Sequence, residues 1–132
     1  LDLKLHKELD EFYEMVTKLA IICIRKNLKL IIENPYSSTH HLKIYWSLKP
    51  ALIDNDRTLR GDYYVKPTQY WFINCKPTYN EINEEAKFNK SNKDIHHTAP
   101  NKRSLMHPDY ANRFIREFVL SKEQLKDYKA ME

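Results

Sequence analysis

Leu30-Ile31-Ile32-Glu33-Asn34-Pro35 is an apolar run that ends abruptly in a carboxylate, an amide and a proline. The stretch from Leu28 to Ile32 is short and nearly continuous in apolar residues, carries an Ile-Ile pair and lacks alternation. It reads as a strand buried on both faces, stopped by Pro35. A polar side chain directly after such a strand stands at its carboxyl end, where open α/β sheets build their sites. Upstream, apolar residues recur at Leu5, Leu9, Phe12, Val16, Leu19 and Cys23. That spacing predicts a helix to about Lys26, ending at Asn27, with its stripe packed on a sheet. Glu8, Asp10, Glu11 and Glu14 crowd its polar side and argue against a membrane-surface helix. Helix followed by buried strand is half of a βαβ unit, and the strand expected before the helix is absent.

Downstream, Ser37-Ser38-Thr39 offers N-cap oxygens, and Leu42, Tyr45, Trp46 and Leu48 predict a short helix over 39–48 that ends before Pro50. Ala51 to Asp54 reads as a strand and Asn55 to Lys66 as a polar loop. Gln69 to Cys75, aromatic and β-branched, reads as a further strand entered through Lys66-Pro67-Thr68. The loop between these two strands is long enough for antiparallel pairing. Residues 76–102 turn polar and form either a long surface loop or a disordered insertion. Pro108 and Asp109 start a helix carrying Tyr110, Phe114, Ile115 and Phe118, and Ser121 with Gln124 fits a capping box for a last helix. The organisation is therefore an α/β unit over 1–75, a polar segment over 76–102 and a helical tail over 103–132.

The 132 residues suit one domain, and 42% apolar with 30% charged residues is ordinary for a globular protein. No apolar run approaches the roughly 20 residues that span a bilayer, so no membrane partner is expected. The start shows no signal-peptide pattern, and the two cysteines, Cys23 and Cys75, sit in apolar runs. Reduced, buried thiols and a cytoplasmic location are expected. The chain begins at Leu1 rather than Met and reads as a fragment or a processed product. The net charge of +4 permits a polyanionic partner without demanding one. Gly61 is the only glycine, which argues against a glycine-rich phosphate loop or a dinucleotide fingerprint.

His40-His41 and His96-His97 are adjacent pairs whose side chains diverge on a regular element, and the cysteines lack zinc spacing, so no metal site is expected. Neither cysteine has the electropositive setting of a nucleophile, and there is no Gly-x-Ser-x-Gly elbow. Glu33 stands out, because a carboxylate at the end of a buried strand is costly unless paired or used. Two readings stay open: an ion pair with Arg57, Lys66 or Arg103 or a cap on the next segment, and contact with a ligand at the sheet edge.

Ile32-Glu33-Asn34-Pro35 after an amphipathic helix and a strand resembles the Glu-Asn-Val or Glu-Asn-Pro motif of cytosine-5 DNA methyltransferases, in the form closest to the phage-encoded type. In that type a Lys-Pro-Thr segment leads into an aromatic strand, as Lys66-Pro67-Thr68-Gln69-Tyr70-Trp71 does here. Arg103-Ser104-Leu105-Met106-His107-Pro108 before a helix is similar to its C-terminal stretch. The likeness spans residues 10 to 75 and 102 to 120. It implies a fold: an α/β, partial methyltransferase-like (Rossmann-like), mostly parallel sheet with an antiparallel last strand and C-terminal helices. Leu28 to Ile32, Ala51 to Asp54 and Gln69 to Cys75 would be its fifth, sixth and seventh strands.

The resemblance also implies a function. The whole enzyme would transfer a methyl group from S-adenosylmethionine to cytosine in DNA. Glu33 would contact the ring nitrogen and amino group of the flipped cytosine, and Asn34 and Pro35 would shape the loop. Arg57, Arg60, Lys66, Thr68 and Arg103 would contact DNA, with a solvated surface loop as the alternative for the basic residues. The family's glycine-containing cofactor loop and its Pro-Cys nucleophile precede this helix, so this chain alone is expected neither to bind S-adenosylmethionine nor to catalyse. It is expected to act with DNA and with the missing N-terminal half or a second copy of itself. The alternative is a non-catalytic, methyltransferase-derived module that binds DNA or protein.

Overall fold

A computed structural model describes residues 3–37, 46–89 and 105–132. The chain is mixed α/β, with a small three-stranded antiparallel sheet and helices. Helix α1 (Leu3–Arg25) leads into β1 (Leu30–Pro35), followed by β2 (Leu52–Asp54), a single 3₁₀ turn (Arg57–Arg60) and β3 (Thr68–Ile73). Helix α2 (Pro108–Phe114) continues as a π-helical turn (Ile115–Val119), and α3 (Lys122–Ala130) closes the chain. Ser121 caps α3 with the full reciprocal box to Gln124 that the sequence implies.

α1 ends where Asn27 adopts the left-handed conformation at φ 55°. The Leu28 amide then reaches the Cys23 carbonyl and the Asn27 amide that of Ile24, the paired bonds of a Schellman stop. Its inward face is Phe12, Val16, Ala20 and Cys23, while Leu5 and Leu19, expected in the buried stripe, are 51% and 44% exposed. The apolar residues outnumber what one side of a three-stranded sheet can cover, so the stripe turns toward Ala20 and leaves them outside.

The sheet order is β1-β3-β2, and both pairings are antiparallel. The mostly parallel sheet expected from the sequence is thus corrected. β1 and β2 do run in the same direction, but β3 lies reversed between them and takes all their inter-strand hydrogen bonds. β1 begins and ends later than the predicted 28–32. Glu33, Asn34 and Pro35 lie within it, opposite Tyr70, Gln69 and Thr68. Both of its faces are packed, Leu30 and Ile32 on one and Ile31 on the other, but these side chains are only half-buried, because its outer edge has no neighbouring strand among the described residues. Met15, Leu19, Ile22 and Ile24 of α1 are also exposed.

The two faces of the sheet carry separate cores. Leu30 and Ile32 join Trp71 and Ile73 against Val16 and Ala20 of α1, with Trp46 completing the cluster. Ile31, Leu52, Tyr70 and Phe72 face Tyr110, Phe114 and Phe118 of the C-terminal helices. The alternation along β1 and β3 is the period-two pattern of a pleated strand covered on both sides. Burying one large apolar side chain contributes roughly 1.5–3 kcal/mol, and Trp71, 1% exposed, sits at the centre of the first cluster.

The expected helix over 39–48 falls largely outside the described residues; Trp46 to Leu48, which are described, are not helical. Trp46 is buried and its indole N–H donates to Thr17. Cys23 is a buried free thiol, whereas Cys75 is only half-buried, since β3 stops at Ile73 and Asn74 turns the chain at φ 58°. Residues 76–89 form no helix or strand, yet they are strapped to the C-terminal helices. Arg113 donates to the Ile82 and Glu84 carbonyls, and Asn80 to those of Arg116 and Leu120.

Candidate functional site

Glu33 lies near the end of β1, on the sheet face that carries Ile31, and directly opposite Tyr70. It is exposed, Asn34 is half-buried and Pro35 is exposed. The costly burial that motivated the reading of Glu33 is therefore absent, since its edge strand opens to solvent there. Asn34 points to the other face and pairs in register with Gln69. Gln69 is fully buried, and its side-chain amide donates to the Pro35 carbonyl at 3.0 Å. Its Oε1 is buried with no hydrogen-bond donor among the described residues.

The segments quoted from the sequence meet in space. Tyr36 N–H donates to the Pro67 carbonyl at 2.9 Å, continuing the β1–β3 ladder past Pro35. Lys66 turns at φ 27° before Pro67, an uncommon conformation for a residue with a side chain, and the Thr68 hydroxyl donates back to the Lys66 carbonyl at 2.7 Å. His107 then joins from the C-terminal segment, its amide donating to Asp62 Oδ1 at 3.1 Å.

Asp62 is the hub of that meeting. Its Oδ2 accepts from Arg57 Nε at 2.6 Å and pairs with a second guanidinium nitrogen of the same residue, while Oδ1 also accepts from the Tyr63 amide. Arg57 in turn reaches the Thr68 hydroxyl at 3.4 Å and stacks over the Tyr110 ring at 4.5 Å. Arg57 is 1% exposed and Thr68 fully buried. Both were expected at a DNA surface; instead they are interior, because Asp62 and the aromatic layer neutralise and cover them. Arg60 is half-buried, its guanidinium shared between Glu117 at 2.7 Å and Asp54 at 3.2 Å and stacked over Phe118. Lys66 is half-buried at its turn, and Arg103 lies outside the described residues. Of the ion-pair partners considered for Glu33, namely Arg57, Lys66 and Arg103, Arg57 is paired with Asp62 instead.

A second buried chain of polar groups runs beneath Glu33. Tyr110 Oη donates to Asp54 Oδ2 at 3.0 Å, and the Tyr70 and Tyr110 hydroxyls lie 2.6 Å apart. Burial pushes the Tyr70 phenol up to about 12, with the Glu33 and Asp54 charges adding to it and the hydrogen bond with Tyr110 and the Arg57 charge opposing. Burial also raises Tyr110, reinforced by Tyr70 and Asp54. Both phenols are therefore neutral donors near neutral pH, suited to holding Asp54 rather than to moving a proton.

Sequence reasoning missed Asp54, Asp62, Gln69 and Tyr110. The signal for one of them, Asp62, was available: Asp56-Arg57-Thr58-Leu59-Arg60-Gly61-Asp62 mixes both signs of charge within one tight turn, the pattern of an internally paired loop. Asp56 caps that turn by accepting from the Thr58 amide, and Gly61 closes it at φ 96°. Among the described residues, no group of three His, Cys, Asp or Glu side chains is disposed to hold a metal ion, and no helix is long and apolar enough to cross a membrane. The His40-His41 and His96-His97 pairs lie outside the described residues. No protein-family model, no curated protein and no solved structure matches the chain.

Proposed function

We propose that this chain is the target-base side of a DNA cytosine-5 methyltransferase of the phage-encoded type, with Glu33 as the residue that reads the cytosine. The observation that carries the reading is the convergence of three segments distant in sequence. Glu33-Asn34-Pro35 pairs residue by residue with the strand that follows Lys66-Pro67, and Asp62 and Arg57 tie that strand to the amide of His107. These are the three segments in which the sequence resembles the family. The reversed direction of β3 also agrees with the antiparallel last strand that the resemblance implies. The open edge of β1 and the exposed Met15, Leu19, Ile22 and Ile24 are what further strands and helices of a larger sheet would cover.

In this reading the exposed Glu33 carboxyl group accepts from the cytosine amino group and supports protonation of the neighbouring ring nitrogen, while a cysteine from outside this chain attacks the ring carbon next to the one that receives the methyl group. S-adenosylmethionine would supply the methyl group. The residues present do not fit that cofactor. The only glycine, Gly61, is packed against Asp109 in a closed turn, so no glycine cradle is available here. Arg57 and Thr68 support the strand end from within, which leaves Lys66 and Arg103 as the candidates for phosphate contact.

The test is methyl transfer to cytosine-containing DNA by the protein of the full reading frame, with and without Glu33→Gln. Loss of a group that assists proton transfer is expected to lower turnover about 10²-fold or more with DNA binding retained. Equal turnover would remove the role of Glu33. A full-frame protein that transfers no methyl group would instead favour a non-catalytic binding module.

A further inference from the structure

At the end of the sheet opposite Glu33, where Leu30 pairs with Ile73, the chain leaves β3 and passes Thr78-Tyr79-Asn80. This tripeptide is clamped onto the π-helical turn. A π-helical turn leaves carbonyls unused by the usual helical ladder, and such turns cluster at functional sites. Here the Thr78 amide donates to the Phe118 carbonyl at 2.9 Å and the Asn80 amide to that of Glu117 at 2.7 Å. The Asn80 side chain, almost fully buried, donates to the Arg116 and Leu120 carbonyls at 2.8 and 2.7 Å.

Tyr79, held between these clamps, adopts φ 49° and is 61% exposed. Its ring stands edge-on to Phe118 at 5.8 Å, which fixes its direction. A non-glycine residue kept in the left-handed region, by two hydrogen-bonded neighbours, to present an aromatic ring to solvent is an expensive arrangement for a surface loop. Beside the ring runs a groove of about 600 Å³ lined by Tyr79, Lys122, Lys126 and Lys129, with Glu81 as the single acid. The three lysines fall at helical spacing on one face of α3, and all are exposed. Asn80 and Leu125, also in the lining, are buried and form its floor.

We propose that this groove binds single-stranded nucleic acid, with phosphates on Lys122, Lys126 and Lys129 and one base stacked on Tyr79. A row of flexible cations tracking a backbone beside a rigid aromatic platform is the general chemistry of sequence-tolerant single-strand binding. An acidic peptide would satisfy the lysines but would leave the fixed ring unused. The site is separate from Glu33 and stands without the methyl-transfer reading. Binding is measured on this chain with no methyl donor, so either idea can fail while the other holds.

The experiment is fluorescence anisotropy of a labelled oligothymidine of about 15 nucleotides titrated with the chain at several salt concentrations. Its duplex and a polyglutamate competitor are measured in parallel. Changing Lys122, Lys126 and Lys129 together to Gln is expected to weaken binding about tenfold at low salt. It should also flatten the salt slope by roughly 2, the share of three phosphate contacts on a single strand. Tyr79→Asn, a residue at ease in the left-handed region, is expected to weaken binding about tenfold and leave the slope unchanged. A control that removes three charges elsewhere, at Lys7, Lys26 and Lys49, should change the affinity far less. The proposal is overturned if the parent chain does not bind the single strand, or if the Lys122, Lys126, Lys129 variant matches the control. It is equally overturned if Tyr79→Asn is neutral or polyglutamate competes as well as the oligonucleotide.

Discussion

Asp62→Ala is the substitution that most directly probes how the candidate site is held together. Asp62 and Arg57 have side chains 3% and 1% exposed, so the pair is fully withdrawn from water. Removing one member of such a pair leaves the other as an uncompensated buried charge, which costs roughly 3–5 kcal/mol. The Tyr63 and His107 amides lose their acceptor as well, at about 1 kcal/mol each where water cannot replace it. The sum, about 5–7 kcal/mol, is a large part of the roughly 5–15 kcal/mol that a domain has. It corresponds to a fall in melting temperature of roughly 10–15 °C or more. Asp62→Asn keeps the oxygen that serves the two amides but loses the charge, and is expected to cost about half as much.

The assay is urea unfolding followed by circular dichroism and tryptophan fluorescence. The double variant Asp62→Ala with Arg57→Met removes the stranded charge along with its partner, so it should be more stable than Asp62→Ala alone. A single variant costing less than about 1 kcal/mol, or a double variant whose cost is the simple sum, would refute the claim that these two charges hold one another.

Two further outcomes follow from the interior. Burial holds Tyr70 up to about 12 and Tyr110 higher still. The folded state therefore keeps two phenolic protons that the unfolded chain releases from about pH 10. Stability that is complete below that pH should fall as pH rises toward 12. Tyrosinate absorbance and far-ultraviolet circular dichroism followed together will check this, and all nine tyrosines ionising together before any loss of helix signal would contradict it. Gly61→Ala puts a side chain at φ 96° with its Cβ 3.2 Å from the Asp109 Cβ. It is expected to destabilise by about 1–2 kcal/mol in a thermal melt, and an unchanged melt would mean the turn is free to rearrange.

Much of the framework was legible because it is written locally. The stripe through Phe12, Val16 and Cys23, the turn chemistry of Asn27 and the box formed by Ser121 and Gln124 each depend on neighbours within one turn. The extent of burial of β1 was misread because continuity of apolar residues measures hydrophobicity and not the number of neighbouring strands. Leu30 to Ile32 is as apolar as a central strand, but among the described residues it is an edge, and the pairing register extends through Pro35. Arg57 and Thr68 were misplaced for a related reason. Charge in a polar loop suggests a surface, and only the distant Tyr110 ring and the fold of the turn onto Asp62 reveal an interior. Tyr79 carried no sequence signal at all, since its exposure depends on carbonyls freed some forty residues later in the π-helical turn.

The burial of Arg57 changes what the polar turn does for Glu33. Apolar side chains of similar volume could fill the same space and stabilise it as well or better, as buried ion pairs often allow. They would leave the Tyr63 and His107 amides without an acceptor and take from the Thr68 hydroxyl the guanidinium it accepts from. Those three groups belong to three different segments: the loop after the 3₁₀ turn, the start of α2 and the first residue of β3. Packing alone can hold segments together, but it tolerates sliding, whereas donors and acceptors with fixed directions do not. Thr68 is opposite Pro35, so fixing the start of β3 fixes the end of β1 through the ladder. The direction in which Glu33 faces solvent is thus set by a buried carboxylate that never reaches the surface.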